Sequence, residues 1–217
     1  RVPGAVAKAF LDRLTADRDL VDRLYDDRTL AAELDDLEVP TPADLDLHTP
    51  ELLSQLLWLL ARVVDAKHPL TMGHSVRVAY WAFRIARELP APRPNPWDVV
   101  WAGLLHDVGK VAVPRTLLDK RQALSAQEWR TLKRHARHSM ELIGRIRDLA
   151  HLAYPAAAHH ERYAGGGYPL GHAREDIPLI GRVLAFADAY DAMTSERGYN
   201  VPLTHTQALA SLTGNVG

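Results

Sequence analysis

Apolar residues recur along this chain at intervals of three and four, the spacing of one face of an α-helix. Between residues 4 and 37, Val6, Phe10, Leu14, Leu20, Leu24, Leu30 and Leu34 stand among charges, which predicts two or three short amphipathic helices. Thr15 to Asp19 is the expected break, because Thr and Asp side chains suit helix N-caps. Residues 39–50 carry Pro40, Pro42 and Pro50 and read as a linker. The helical signal then strengthens. Residues 51–64 (ELLSQLLWLLARVV) follow a candidate cap at Thr49 and a proline at the first helical position. A second helix is expected over 74–89, ended by the prolines of 90–96, and a third over 97–105, running into His106. Ser125 with Glu128 three residues on forms a capping-box pattern that opens a helix through Trp129, Leu132 and His135. Further helices fit 139–160, 178–194 and 206–212. Alternating β-branched runs are essentially absent, so the pattern is all-α.

Length and composition narrow the class. The 217 residues suit one main core of about 150 residues plus an extension. Domain boundaries are expected at 1–48, an acidic helical extension and linker, and 49–217, the main body. A chain opening at Arg1 is expected to be a piece of something longer. With 47% hydrophobic and 24% charged residues, the composition argues against wholesale disorder. No apolar run approaches the roughly 20 residues of a membrane span. The absence of cysteine excludes disulfides, thiolate metal sites and cysteine nucleophiles. Eleven histidines are an excess, and imidazole without thiol points to a metal site of nitrogen and oxygen ligands.

The formal charge of −1 conceals an asymmetry. Of 26 basic and 27 acidic residues, 6 and 12 respectively fall in residues 1–50. An acidic preface therefore precedes a basic body that holds ten of the histidines, a body suited to an anionic small molecule. The near-neutral whole makes no case for a nucleic-acid polymer.

Three constellations carry candidate chemistry. In LLHDVGK, His106 and Asp107 are adjacent, and neighbours on a helix point about 100° apart. They can bracket a metal only where the helix end abuts the site; the plainer reading is a cap or a surface hydrogen bond. Gly109 permits close approach, and Lys110 adds a cation. His159, His160 and Glu161 follow a small-residue run, and paired neutral imidazoles are ordinary divalent-metal ligands. The RYAGGGYP stretch after them is a permissive loop from which Tyr168 can stack on a base. Asp188 and Asp191 share one face of an otherwise apolar helix, where carboxylates are costly unless metal-bound or paired in a buried salt bridge. His74 and His135 are further candidates, with His138 competing against His135.

Taken in order, TMGHSVRVA, LLHDVGK, LKRH, HHERYAGGGYP and ADAYDAMTSERGY resemble the HD-GYP domain, a subgroup of the HD phosphohydrolases, over about residues 52–212. The resemblance implies an HD-domain helical bundle and a cyclic di-GMP phosphodiesterase releasing pGpG or GMP. It also implies divalent metals, iron or manganese, held by His74, His106, Asp107, His135, His159, His160 and Asp188. Asp107 would bridge two ions, Asp107 and Lys110 would be catalytic, and Lys110 would sit beside the scissile phosphate. Gly167, Tyr168, Pro169, Asp191 and Arg197 would surround the nucleotide. Leu70, where some members have a metal-binding glutamate, favours two ions over three. Ala164 and Asn200 replace acidic and basic residues usual in the family. They leave open an HD phosphohydrolase acting on another nucleotide. A catalytically inactive module that senses a dinucleotide or binds a protein is a further alternative. The expected setting is cytoplasmic, without a membrane segment in this stretch, with a homodimer or a cyclase or sensor domain as partner.

Overall fold

The computed structural model describes residues 50–67, 72–195 and 201–214. The expected helices of the acidic preface, the linker, the Thr49 cap, Leu70, Arg197 and Asn200 lie outside the described residues. Among the described residues the chain forms α-helices and short 3-10 turns, with no strand. The helices are α1 (Pro50–Ala66), α2 (His74–Glu88), α3 (Pro96–Leu105), α4 (Arg115–Leu118), α5 (Ala126–Gly144), α6 (Ala153–Ala157), α7 (Leu179–Thr194) and α8 (His205–Gly214).

Local chemistry explains most boundaries. Helix α3 begins at Pro96, whose fixed φ suits the first turn, and Asn95 caps it by accepting from the Trp97 amide at 2.9 Å. The capping box at α5 forms as expected: Ser125 accepts from the Glu128 amide and Glu128 accepts from the Ser125 amide. Helix α2 starts behind Gly73, which has no side chain to cap with. Asp65 at the end of α1 supplies the carboxylate instead, accepting from the Ser75 amide at 2.9 Å and hydroxyl at 2.7 Å. The stretch expected as one helix over 139–160 is not continuous. Helix α5 ends at Gly144, Ile146 turns extended, and 3-10 turns on either side of α6 re-aim the chain. Another 3-10 turn, Val108–Ala112, and the short α4 follow α3, where no element was expected.

The core is built where α2, α3 and α7 meet. Trp81, Tyr80, Tyr190, Phe186, Ile85 and Leu105 are fully buried there, and the Trp81 and Tyr190 rings meet edge to face at 5.2 Å. Helix α1 covers one side, tied to α3 by the Trp101 indole donating to Ser54 at 2.7 Å. The Lys67 ammonium, just past the end of α1, donates to the carbonyls of Lys110, Val111 and Val113 at 3.1, 2.6 and 2.7 Å. Helix α5 packs on the 3-10 turn that follows α3. Gly109 is required by that contact: a Cβ there would run into the His135 carbonyl oxygen and the Ser139 amide. The ends of α3 and α7, the start of α2, the middle of α5 and the turn after α6 therefore converge on one place.

Candidate metal centre and active site

His106 is the C-cap of α3 and keeps helical angles (φ −53, ψ −36), and Asp107 leaves them (φ −105, ψ 7). That break lets two adjacent side chains face one point, which a continuous helix forbids. Ser139 locks the break from α5: its hydroxyl donates to the His106 carbonyl and accepts from the Gly109 amide, both at 2.8 Å.

Three histidines share one geometry. The Nδ1 atoms of His106, His135 and His159 lie 2.6, 2.7 and 2.8 Å from the carbonyls of Gly103, Leu132 and Ala156, each three residues earlier. A carbonyl only accepts, so Nδ1 carries a proton and the neutral form of each ring presents the Nε2 lone pair inward. These three Nε2 atoms and Asp107 Oδ1 are buried without a hydrogen-bond partner among the described residues. Leaving such an atom unsatisfied costs about 1–3 kcal/mol, so four together mark a place that a cation completes.

Asp107 stands between two sets of imidazoles. Its Oδ1 is 3.3 Å from His135 Nε2 and 3.9 Å from His159 Nε2. Its Oδ2 is 3.3 Å from His106 Nε2 and 3.7 Å from His74 Nε2. Lys110, one turn on, ion-pairs with Oδ2. Three ligand groups emerge, each with its atoms within 4.8 Å of one another: His135, His159 and His160; His74, His106 and Asp188; and His106, Asp107 and His159. Nitrogen and carboxylate donors without sulfur fit iron, manganese or zinc better than a soft metal.

The electrostatics keep these groups in ligand form. Burial, then the neighbouring His160 and His106, hold His159 well below its usual pKa; burial lowers His135 and pushes His160 down to about 4. Burial alone would raise Asp107 and Asp188. Lys110 and His106 outweigh it at Asp107, and the hydrogen bond and charge of His74 outweigh it at Asp188, so both lie well below the carboxylate range.

His74 differs. Its Nδ1 donates to Asp191 Oδ2 at 2.7 Å, while Nε2 lies 3.2 Å from Asp188 Oδ1. Burial lowers its pKa, but the bonds to Asp188 and Asp191 prevail and raise it to about 9. Asp191 was expected beside a nucleotide. Its carboxylate is instead 0% exposed, behind His74, and accepts from Arg77 Nε at 2.6 Å and Nη2 at 3.2 Å. The salt-bridge alternative describes Asp191; Asp188, on the same helix face, is partly open and turns to the ligand cluster.

The glycine loop closes the opposite side. His160 and Tyr168 rings lie 4.6 Å apart at 31°, and Tyr168 also meets the edge of His135 at 6.3 Å. Glu161 Oε1 accepts from the Leu170 and Gly171 amides at 2.7 and 3.0 Å, clamping the chain just past Pro169. Gly167 is pressed against the backbone of Glu161 and Arg162, where any Cβ would collide, so it serves packing.

The structure thus brings His74, His106, Asp107, Lys110, His135, His159, His160 and Asp188 together, with Tyr168 beside them. His138, the competitor of His135, packs its Cβ against Gly109 and is in none of the three ligand groups. Arg77, Ser139 and Glu161 were not singled out from sequence. Glu161 had a signal in its place next to the histidine pair; Arg77 and Ser139 had none beyond helical spacing.

The family model described as HD domain matches residues 58–217. The chain is 37% identical over 167 residues, 76% of its length, to a 3'3'-cGAMP-specific phosphodiesterase 3 of Vibrio cholerae serotype O1, covering 36% of that protein. It is 40% identical over 130 residues to a cyclic di-GMP phosphodiesterase of Pseudomonas aeruginosa, 59% of this chain and 31% of that one. A cyclic di-GMP phosphodiesterase of Thermotoga maritima is 32% identical over 171 residues, 76% of this chain and 46% of the relative. The chain spans a third to a half of the length of these relatives.

Proposed function

Because the chain belongs to the HD domain family, we propose that it is a metal-dependent phosphodiesterase that hydrolyses cyclic dinucleotides, cyclic di-GMP to pGpG or GMP, with residues 49–217 as the catalytic unit. The observation that carries this reading is Asp107, whose two oxygens each face a separate pair of imidazoles. Two divalent ions, iron or manganese, suit that arrangement. His74, His106, Asp107 and Asp188 would hold one, and Asp107, His135, His159 and His160 the other. When bound, such a pair supplies a nucleophile from water at neutral pH and draws charge from the phosphoryl oxygens.

The chain's own residues do the rest. The Nδ1–H bonds to backbone carbonyls keep each Nε2 aimed before a ligand arrives, and burial disfavours the charged form of His135 and His159. Water oxygen adds to phosphorus, the 3′-oxygen leaves, and that oxygen takes up a proton for which the Lys110 ammonium is a donor. Lys110 also balances charge on the phosphoryl oxygens, with Arg197 as a second cation. Tyr168 offers a ring for a base, with Gly167 and Pro169 setting its position. Asp191 acts through His74 rather than on the nucleotide.

Metal analysis paired with chromatography of the products from cyclic di-GMP tests the reading, on protein purified with iron and manganese retained. Release of pGpG or GMP supports it; no turnover of any cyclic dinucleotide by metal-loaded protein overturns it. Binding without turnover would favour a sensing module. The names of the Vibrio relatives favour 3'3'-cGAMP as a second substrate reading, which a parallel incubation with that dinucleotide decides.

A further inference from the structure

A cyclic dinucleotide carries two phosphodiesters held apart by its own ring. While one is cut, the other remains a full negative charge outside the ligand cluster, and something at the mouth of the site must meet it. Lys110 is already paired with Asp107 and belongs to the cluster. Asp188 and Asp107 add negative charge there, so a further cation outside the cluster would favour the uncut phosphodiester.

Lys133 has the required position. It lies on the exposed face of α5, four residues after Trp129 and two before His135. Its ammonium sits 5.2 Å from the centre of the Tyr168 ring and 5.9 Å from that of Trp129. Tyr168 in turn lies 4.6 Å from the His160 ring, so the ammonium is no farther than about 10 Å from that ring, close to one Debye length at physiological salt. No carboxylate pairs with Lys133 among the described residues. The aromatic faces restrain the ammonium without neutralising it, since a ring quadrupole attracts a cation but carries no net charge. Among the described residues Lys133 is therefore a cation without a carboxylate partner, held beside the ring that flanks His160. Trp129, 47% exposed, extends the same face with a ring free to stack on a base.

We propose that Lys133 binds the second, uncut phosphodiester of the cyclic dinucleotide and so selects a substrate with two phosphodiesters over one with a single diester. This rests on the phosphodiesterase reading above and adds a specificity-determining residue to it. The test compares two substrates, cyclic di-GMP and the small single diester bis(p-nitrophenyl) phosphate, on metal-loaded wild type, Lys133→Ala and Lys133→Arg. The alanine variant is expected to raise the KM for cyclic di-GMP about tenfold relative to the KM for the small diester, with arginine restoring most of the ratio. An unchanged ratio in the alanine variant overturns the role of Lys133 while the phosphodiesterase reading stands. Wild type that cleaves neither substrate overturns that reading. Titration with a non-hydrolysable phosphorothioate analogue of cyclic di-GMP then judges Lys133 by affinity alone: a Kd weakened about tenfold in the alanine variant supports it, and an equal Kd removes it.

Discussion

Arg77 and Asp191 form a buried ion pair, Nε to Oδ1 at 2.6 Å, directly behind His74. The other carboxylate oxygen of Asp191 receives the His74 Nδ1 proton. A cation, a carboxylate and an imidazole thus stand in series, with the imidazole's free end toward the ligand cluster.

This series makes Asp191 a positioning residue. Asp191→Asn keeps the shape and removes the charge that fixes His74. Metal affinity is expected to fall about 10–100-fold, with kcat largely recovered at saturating metal and the KM for substrate little changed. Metal titration of the variant, followed by kinetics at saturation, checks it. A raised KM at full metal occupancy would instead put Asp191 on the nucleotide.

Removing Asp107 is expected to be far more severe, because one carboxylate serves both halves of the cluster. Asp107→Ala should lose at least one equivalent of bound metal and lower turnover about a thousandfold or more, near the detection limit. Elemental analysis alongside a product assay reads both. Near-normal turnover would remove the bridging role.

Gly109→Ala tests the contact beneath the site. The added methyl collides with the His135 carbonyl and the Ser139 amide, both backbone, so neither can swing away. A destabilisation of about 2–3 kcal/mol is expected, with metal binding weakened because His106 and His135 are pushed apart. Thermal unfolding with and without metal is the measurement; an unchanged midpoint would mean that α5 can retreat freely.

The metal-free protein should show a stability maximum near pH 6.5. His160 is held at about 4 in the fold against 6.5 for the free side chain. As pH falls through that window the unfolded chain takes a proton that the native one refuses, and stability drops. His135 and His159, also lowered, steepen this limb. His74 has the opposite sign: raised to about 9, it contributes fully below 6.5, and that contribution is lost as pH climbs through 9. Midpoints measured in chelator from pH 4 to 9 should fall on both sides. His160→Gln should flatten the acid limb and His74→Gln the alkaline one; a profile that only rises or only falls contradicts the assignment.

The apolar periodicity of 51–64, 74–89 and 178–194 was enough to locate α1, α2 and α7 to within a residue or two; α2 and α7 have wide buried faces, while α1 buries a narrower stripe through Leu57, Ala61 and Val64. It misjudged 139–160, where the apolar spacing continues but the backbone turns at Ile146, a change no side-chain pattern records. At the site, His106, Asp107, His159 and His160 were legible through the order of the motifs that hold them, each pair by itself reading as readily as a cap or a surface pair. The helical pattern alone did not separate Asp188 from Asp191; the resemblance assigned the first to metal and the second to the nucleotide. What separates them is Arg77, brought from a helix more than a hundred residues away, and such a partner is visible only after folding. Ser139 escaped notice for a similar reason: a serine inside a polar helix looks like surface until the backbone of Gly109 meets it.

The ammonium of Lys67 grips three carbonyls of the turn that follows Asp107, one of them that of Lys110 itself. A slide of α1 by a single helical turn, about 5.4 Å, would break all three bonds at once. Asp65, two residues before Lys67, holds the Ser75 amide beside His74 in the same way. Two neighbouring side chains at one end of α1 thus anchor two of the segments that carry the ligand cluster.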